Sequence, residues 1–301
     1  MAKENIIAFS QAHAEPEWLQ VRRQTAFDKI SELKLPLIQR VKLDRWNFGN
    51  NDITESLDSS NVPDFTNLGE NPKLIQVGTT TVFQQLSPDL ANKGVIFTDF
   101  YSALEEIPEI IEQYFGTALP FDEDKLTAYH TAYFNSAAVL YVPDNVEVNV
   151  PVEGLFYQDS DEAVPFNKHV LIIVGKHAKL SYLERFESLG KDSVKNTANI
   201  VVEVIALEEA QVKFSAIDRL GSNLTTFISR RGRLNKNAQI DWNLGVMNEG
   251  NVVADFDSDL VGEGSHAELK AVAISSGKQI QGIDTRVTNY APHSIGHILQ
   301  H

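Results

Sequence analysis

The strongest constraint on this chain is a spaced repetition in its second half. A short unit, a turn-forming or polar residue followed by alternating apolar positions, recurs five times. It reads Asn145-Val146-Glu147-Val148, His177-Ala178-Lys179-Leu180, Glu209-Ala210-Gln211-Val212, Asn237-Ala238-Gln239-Ile240 and His266-Ala267-Glu268-Leu269. The second members stand at 146, 178, 210, 238 and 267, so the intervals are 32, 32, 28 and 29 residues. A period of that size marks coils that stack on their neighbours. The surrounding segments alternate, as in Val146-x-Val148-x-Val150-x-Val152, Val170-x-Ile172-x-Val174, Val212-x-Phe214-x-Ala216 and Ile240-x-Trp242-x-Leu244-x-Val246. A period of two is a strand signal. No helix-length stretch intervenes after Asn135, which argues against an alternating βα fold. The pattern predicts a mainly β solenoid over residues 135–301. A β-sandwich with evenly spaced strands is the alternative.

Residues 1–134 read as a mostly helical region with an irregular linker at about 49–73. After Pro16, Trp18, Val21 and Thr25 share a helical face, Glu17 suits the helix dipole, and Pro36 ends the pattern. The linker is rich in Asn, Asp, Ser and Pro. Strand pieces follow around Leu74–Val77 and Val95–Thr98. Leu104, Ile107, Ile110, Ile111 and Tyr114 recur at helical spacing, with Pro108 in a first turn or at a kink and Gly116 at the end. Asp122 is the expected cap of a further helix over Leu126–Tyr133. Both edges of the solenoid need a cap or a partner. The helical region is the candidate cover for one of them.

Asp and Glu number 41 against 26 Lys and Arg, a net charge of −15, and there is no cysteine. That acidity argues against a nucleic-acid binder. Disulfides, thiolate nucleophiles and Cys-ligated metal or cluster sites are excluded within the chain. No secretory signal and no apolar run of about 20 residues is present, so a cytoplasmic protein outside the membrane is expected.

Few residues suggest chemistry. His293, His297 and His301 are four apart, with His266 on an earlier coil. On a strand, residues four apart stand about 13 Å from one another, too far for one ion. They are expected as polar residues of a coil or as part of an interface; a His-based metal site is the alternative. Asp255, Asp257 and Asp259 share one face of an extended segment, with Phe256 turned to the core. A solvated, like-charged face is expected; an acid–base set acting on polysaccharide is the alternative. Arg230-Arg231-Gly232-Arg233 with Lys236 is the one compact basic cluster, meeting an acidic partner or offsetting nearby carboxylates. No phosphate-binding loop or nucleophile elbow is found. The residues favour a non-enzymatic scaffold that binds other proteins. Ile295-Gly296-His297-Ile298-Leu299-Gln300-His301 still reads as strand, so the expectation is either a core cut short at its C-terminal end, as a fragment of a longer protein, or a surface that pairs with a partner.

Four stretches stand together: 131–152 (Thr-Ala-Tyr-Phe-Asn-Ser-Ala-Ala-Val-Leu-Tyr-Val-Pro-Asp, then Asn-Val-Glu-Val-Asn-Val-Pro-Val), 169–184, 240–250 and 286–300. They resemble the core of the SufB/SufD family of SUF iron–sulfur cluster assembly proteins, and the SufD side of it most. Glu15-Pro16-Glu17-Trp18-Leu19 with Arg22-Arg23, and Arg45-Trp46-Asn47-Phe48, resemble the family's opening. The resemblance implies a right-handed parallel β-helix core and a scaffold that pairs with a SufB-like homologue. It implies contact with the SufC ATPase through a C-terminal domain that has no counterpart in these 301 residues. It places an iron–sulfur cluster, and reduced flavin, at the level of the full complex, with no cofactor expected on this chain. His293, His297, Ile298 and His301 are the expected partner interface, and a homodimer is expected where the homologue is absent.

Overall fold

Coils that repeat every 27 to 32 residues leave room for two strands and two turns each, and that is how the chain folds. The computed structural model describes residues 2–48, 53–55, 62–64 and 68–301. Residues 49–52, 56–61 and 65–67 of the expected linker lie outside the described residues. The helices are α1 (Ala2–Ala12), α2 (Glu17–Lys29), α3 (Pro88–Asn92), α4 (Phe100–Glu106), α5 (Pro108–Tyr114) and α6 (Lys125–Tyr133). The strands are β1 (Lys73–Val77), β2 (Thr80–Gln85), β3 (Ile96–Asp99), β4 (Ser136–Val142), β5 (Val152–Asp159), β6 (Phe166–Val174), β7 (Lys179–Leu189) and β8 (Asn196–Ala206). They continue as β9 (Gln211–Arg219), β10 (Leu224–Leu234), β11 (Gln239–Val246), β12 (Asn251–Leu260), β13 (His266–Ala273), β14 (Gln281–Asn289) and β15 (Ile295–Gln300).

Strands alternate between two sheets. One has the order β15-β13-β11-β9-β7-β5-β1-β2, the other β14-β12-β10-β8-β6-β4-β3. From β4 onward each strand pairs in parallel with the strand two elements along. This is a parallel β-solenoid, and the pairing sets the sandwich alternative aside. The sheets take in strands from before residue 135: β1 pairs in parallel with β5, while β2 and β3 close the first edges in antiparallel fashion.

Turn chemistry explains the repeat. The corner residue entering the first sheet is left-handed in each coil: Asn145 (φ 62°), His177 (55°), Glu209 (58°), Asn237 (54°), Gly264 (69°) and His293 (59°). Asn and Gly tolerate this region; His and Glu hold it at a cost. The residue after it is small and buried at Ala178, Ala210, Ala238 and Ser265. Gln239 pairs with His266, so the corner equivalent to Asn237-Ala238 is Gly264-Ser265, not His266-Ala267. The expected unit was two residues late there. A shift of two preserves the inward and outward faces, so alternation could not reveal it.

The helices cover a face, not an edge as expected. Leu19, Phe100, Ala103, Ile111 and Phe115 pack on Val139, Leu171, Ile173 and Ile205, the outward residues of β4, β6 and β8. Ile38, Leu43, Phe48 and Leu126 pack on Phe227 and Val253 of β10 and β12. With both faces buried, β6 is apolar without interruption from Val170 to Val174. The other sheet faces water, and β9 and β11 alternate buried with exposed or half-buried positions. Within the helical cover, α2 buries Leu19, Arg23 and Ala26, whereas Val21 is exposed. The expected Trp18–Val21–Thr25 face was therefore wrong. The inward stripe carries Arg23, whose guanidinium forks onto Glu15 at 2.7 Å and donates to the Phe134 carbonyl at 2.9 Å. Asp124, not Asp122, caps α6, accepting from the Leu126 and Thr127 amides in a capping box. Pro108 opens α5 as a separate helix.

Asn237 gives a test of the corner. Asn237→Val puts a β-branched side chain in the left-handed region and is expected to lower stability by about 1–2 kcal/mol, with Asn237→Gly near neutral. Urea unfolding midpoints check it; equal midpoints for the two variants would contradict the role of the turn.

Candidate protein interface

The end coil is built from β13, β14 and β15. β15 pairs with β13 in the register His266↔Ile295, Glu268↔His297 and Leu269↔Ile298. Among the described residues no strand pairs with its other edge. An open strand edge presents unpaired amides and carbonyls to any extended segment. Every residue of β15 is exposed, whereas its neighbour buries Ala267, Leu269 and Ala271. In-register parallel pairing places Ile298 beside Leu269, on the side that faces the core in every earlier coil. Leu269 is 1% exposed and Ile298 is 44% exposed, and among the described residues no coil lies over Ile298. A hollow of about 210 Å³ opens at the far end of β15, lined by Ala271, Ala273, Ile283, Gln300 and His301.

The four histidines do not converge. The His266 and His297 rings meet with centroids 5.7 Å apart, edge to face. His293 makes the left-handed corner. The His301 backbone continues the ladder, its amide donating to the Ala271 carbonyl and its carbonyl accepting from the Ala273 amide, each at 2.9 Å.

The aspartate trio departs from expectation. Asp255, Asp257 and Asp259 share the outer face of β12, and Phe256 points into the core. That outer face is covered rather than solvated. Arg231 of the adjoining strand lies opposite Asp257. Its guanidinium is 2.9 Å from Asp257, 3.8 Å from Asp255, 3.7 Å from Asp259 and 2.8 Å from Glu123, which precedes α6. Arg286 also donates to Asp257. Glu123, Asp255 and Asp257 bring three carboxylates within 4.8 Å, the spacing of a cation site, but Arg231 already supplies the cation there. Burial, and then the Asp257 charge, push the Asp255 carboxyl up to about 7 against the pull of Arg231. Neighbouring residues of a strand point oppositely, so Arg230 lies inside the solenoid, 2.8 Å from Glu184 and 2.7 Å from Asp218. The basic cluster thus offsets carboxylates on both sides of β10.

A buried polar chain under the helices had no signature in the sequence. His130 Nδ1 lies 3.2 Å from the Asn199 carbonyl and 3.1 Å from its side-chain oxygen, so it carries the proton. Its Nε2 accepts from His169 Nδ1 at 3.0 Å. His169 Nε2 is 3.1 Å from Glu203, which accepts the amides of Gly116, Ala118 and Leu119. Burial, and then His169, hold His130 well below the usual histidine value. The chain ties α6 and the 116–119 turn to β6 and β8.

Asp255 sets a pH test. Its folded carboxyl keeps a proton to about pH 7, while the unfolded one releases it near 3.8. The unfolded state therefore binds fewer protons in that window, and this group's contribution falls as pH rises through it. Asp255→Asn removes that loss, so the variant's stability relative to the parent rises between pH 4 and 7. Urea midpoints across that range check it; a constant difference would contradict it.

Comparison with known proteins gives the fold a family. The SufBD protein N-terminal region matches residues 67–153, and the SufBD core domain of the SUF system for FeS cluster assembly matches residues 156–301. The iron-sulfur cluster assembly protein SufD of Bacillus subtilis (strain 168) is 34% identical over 314 residues, covering 99% of this chain and 71% of that protein. An iron-sulfur cluster assembly SufBD family protein of Staphylococcus saprophyticus is 23% identical, covering 97% of this chain and 66% of its own length. A Staphylococcus epidermidis member is 24% identical, covering 93% and 59%. The chain thus spans from 59% to 71% of the length of these relatives. Two family models in sequence along the solenoid, and 34% identity across nearly the whole chain, show that this protein belongs to the SufB/SufD family of iron–sulfur cluster assembly proteins.

Proposed function

We propose that this protein is a SufD-like, non-enzymatic scaffold subunit of an iron–sulfur cluster assembly complex, and that its end coil pairs with a SufB-like homologue. The observation that carries the pairing is the uncovered core side of β15, with Ile298 exposed beside a buried Leu269. An edge strand with apolar residues on the core side of an open coil suits strand addition by a similar coil. His293, His297, Ile298 and His301 belong to that surface. Where the homologue is absent, two copies pair through the same edge.

The cluster in this reading is cargo, held with residues of the partner, since this chain has no cysteine. Reduced flavin belongs to the complex and is assigned to no residue here. Contact with a SufC-like ATPase is assigned to no surface of these 301 residues, and the cytoplasm is the proposed compartment. No helix among the described residues is long and apolar enough to cross a membrane. Polysaccharide chemistry is disfavoured, because Arg231 ties up Asp257 and its neighbours as ion-pair partners.

Ile298→Lys combined with His297→Glu tests the pairing. Binding to a purified SufB-like protein, measured by calorimetry, is expected to weaken at least tenfold, about 1.4 kcal/mol. Unchanged affinity overturns the assignment of the end coil.

A further inference from the structure

A cationic corner stands out on a chain of net charge −15. The turns that precede β8, β10, β12 and β14 stack into an open groove of about 830 Å³. Lys195 lines one end and Lys278 the other, with Asn196, Asn223, Asn251 and Gln279 among the residues between them. A second groove of about 460 Å³ shares Asn251 and carries Arg40, Lys42 and Arg45. Glu249 is the one acidic residue lining the two grooves. Asp44, exposed on the same 40–45 turn, lines a different hollow.

We propose that this corner is a docking site for an extended acidic segment of a partner protein, held between the Arg40–Arg45 turn and the Lys195–Lys278 row. Charge complementarity is the first reason. All five cations are exposed, and among the described residues none has a carboxylate within ion-pair distance. Some exposed cations elsewhere pair, as Lys3 does with Asp28, Lys93 with Asp89 and Lys179 with Glu147, and what sets these five apart is that they gather on one corner.

Extent is the second reason. β8, β10, β12 and β14 are consecutive in their sheet. Three steps of about 4.8 Å separate the Lys195 and Lys278 turns by about 14 Å. A lone phosphate cannot touch both, whereas about four residues of extended peptide span the distance.

The lining is the third reason. Thr197 and Asn223, 6% and 7% exposed, each carry a side-chain oxygen with no hydrogen-bond partner. The turns add amide and hydroxyl groups that suit peptide N–H and C=O. No aromatic ring lines the larger groove among the described residues. Along that groove a single-stranded nucleic acid would lack the stacking platform it normally uses; Trp46 lines the smaller groove, so the nucleic-acid arm of the test decides between the two ligands.

Fluorescence anisotropy with a labelled ten-residue peptide of alternating Glu and Ser, at low salt, tests the site. Binding is expected to weaken as salt is raised. Lys195→Glu with Lys278→Glu, and separately Arg40→Glu with Arg45→Glu, are expected to weaken it at least tenfold. Lys176→Glu with Lys213→Glu, exposed elsewhere, is expected to change it less than twofold; circular dichroism confirms that each variant is folded. Equal losses for all three pairs, or equal binding of a Gln-Ser peptide, overturn the proposal. So does a single-stranded DNA ten-mer that binds more tightly than the acidic peptide.

Discussion

The structure depends on each coil returning to its sheet in the same register at the same corner. One left-handed residue per coil makes that return, from Asn145 to His293. Once the corner is set, parallel pairing stacks equivalent side chains. Tyr182, Phe214 and Trp242 occupy one register position on β7, β9 and β11. Their rings form a ladder through the core, with centroids 5.3 Å and 4.7 Å apart. The small residues after the corners form a second ladder. A slip of one residue would exchange inside for outside along a whole strand, so the ladders and corners reinforce one register.

The interior is not uniformly apolar. Arg230 on one sheet reaches Glu184 and Asp218 on the other, all fully buried. Burial pushes Glu184 up to about 7 against the pull of Arg230. Lys168, pulled down to about 7 by burial, bonds to Gln76 and Ser136. Removing two charges from water offsets much of the attraction a buried pair gains. What such groups add is directional: Arg230 meets both carboxylates only when β7, β9 and β10 sit at their native heights. The cluster therefore acts on register more than on net stability.

The solenoid was legible because its two signals, period and alternation, are local and repeat. The sheet facing water alternates cleanly, and its partner hides alternation because α2, α4 and α5 bury its outer face. That is why Leu171 and Ile173 gave no hint of the helices above them. Buried charge was the main source of error. Arg23 sits in the inward stripe of α2, and Asp257 lies under the loop that carries Glu123; both look solvent-facing by residue type. Their partners, Glu15 and Arg231, become visible only once the chain has brought them together. β15 was legible as a strand. The cationic corner was not, because its five residues come from three segments spread between 40 and 278.

The proposed end-coil interface and the cationic corner are close in the fold. Lys278 lies on the turn between β13 and β14, and β13 is the strand to which β15 is paired. A partner adding a strand to the free edge of β15 would therefore stand two strand steps beyond β13, at the Lys278 end of the groove. The coil spacing of about 4.8 Å is fixed by backbone hydrogen bonds, so the two surfaces cannot drift apart. Side chains set the chemistry at each surface: Ile295, Ile298 and Leu299 are apolar at the edge, while Lys195 and Lys278 are cationic along the corner. A rigid solenoid can position two kinds of contact against one assembly without supplying a reactive group, and that is the physical content of a scaffold role for a chain with no thiolate.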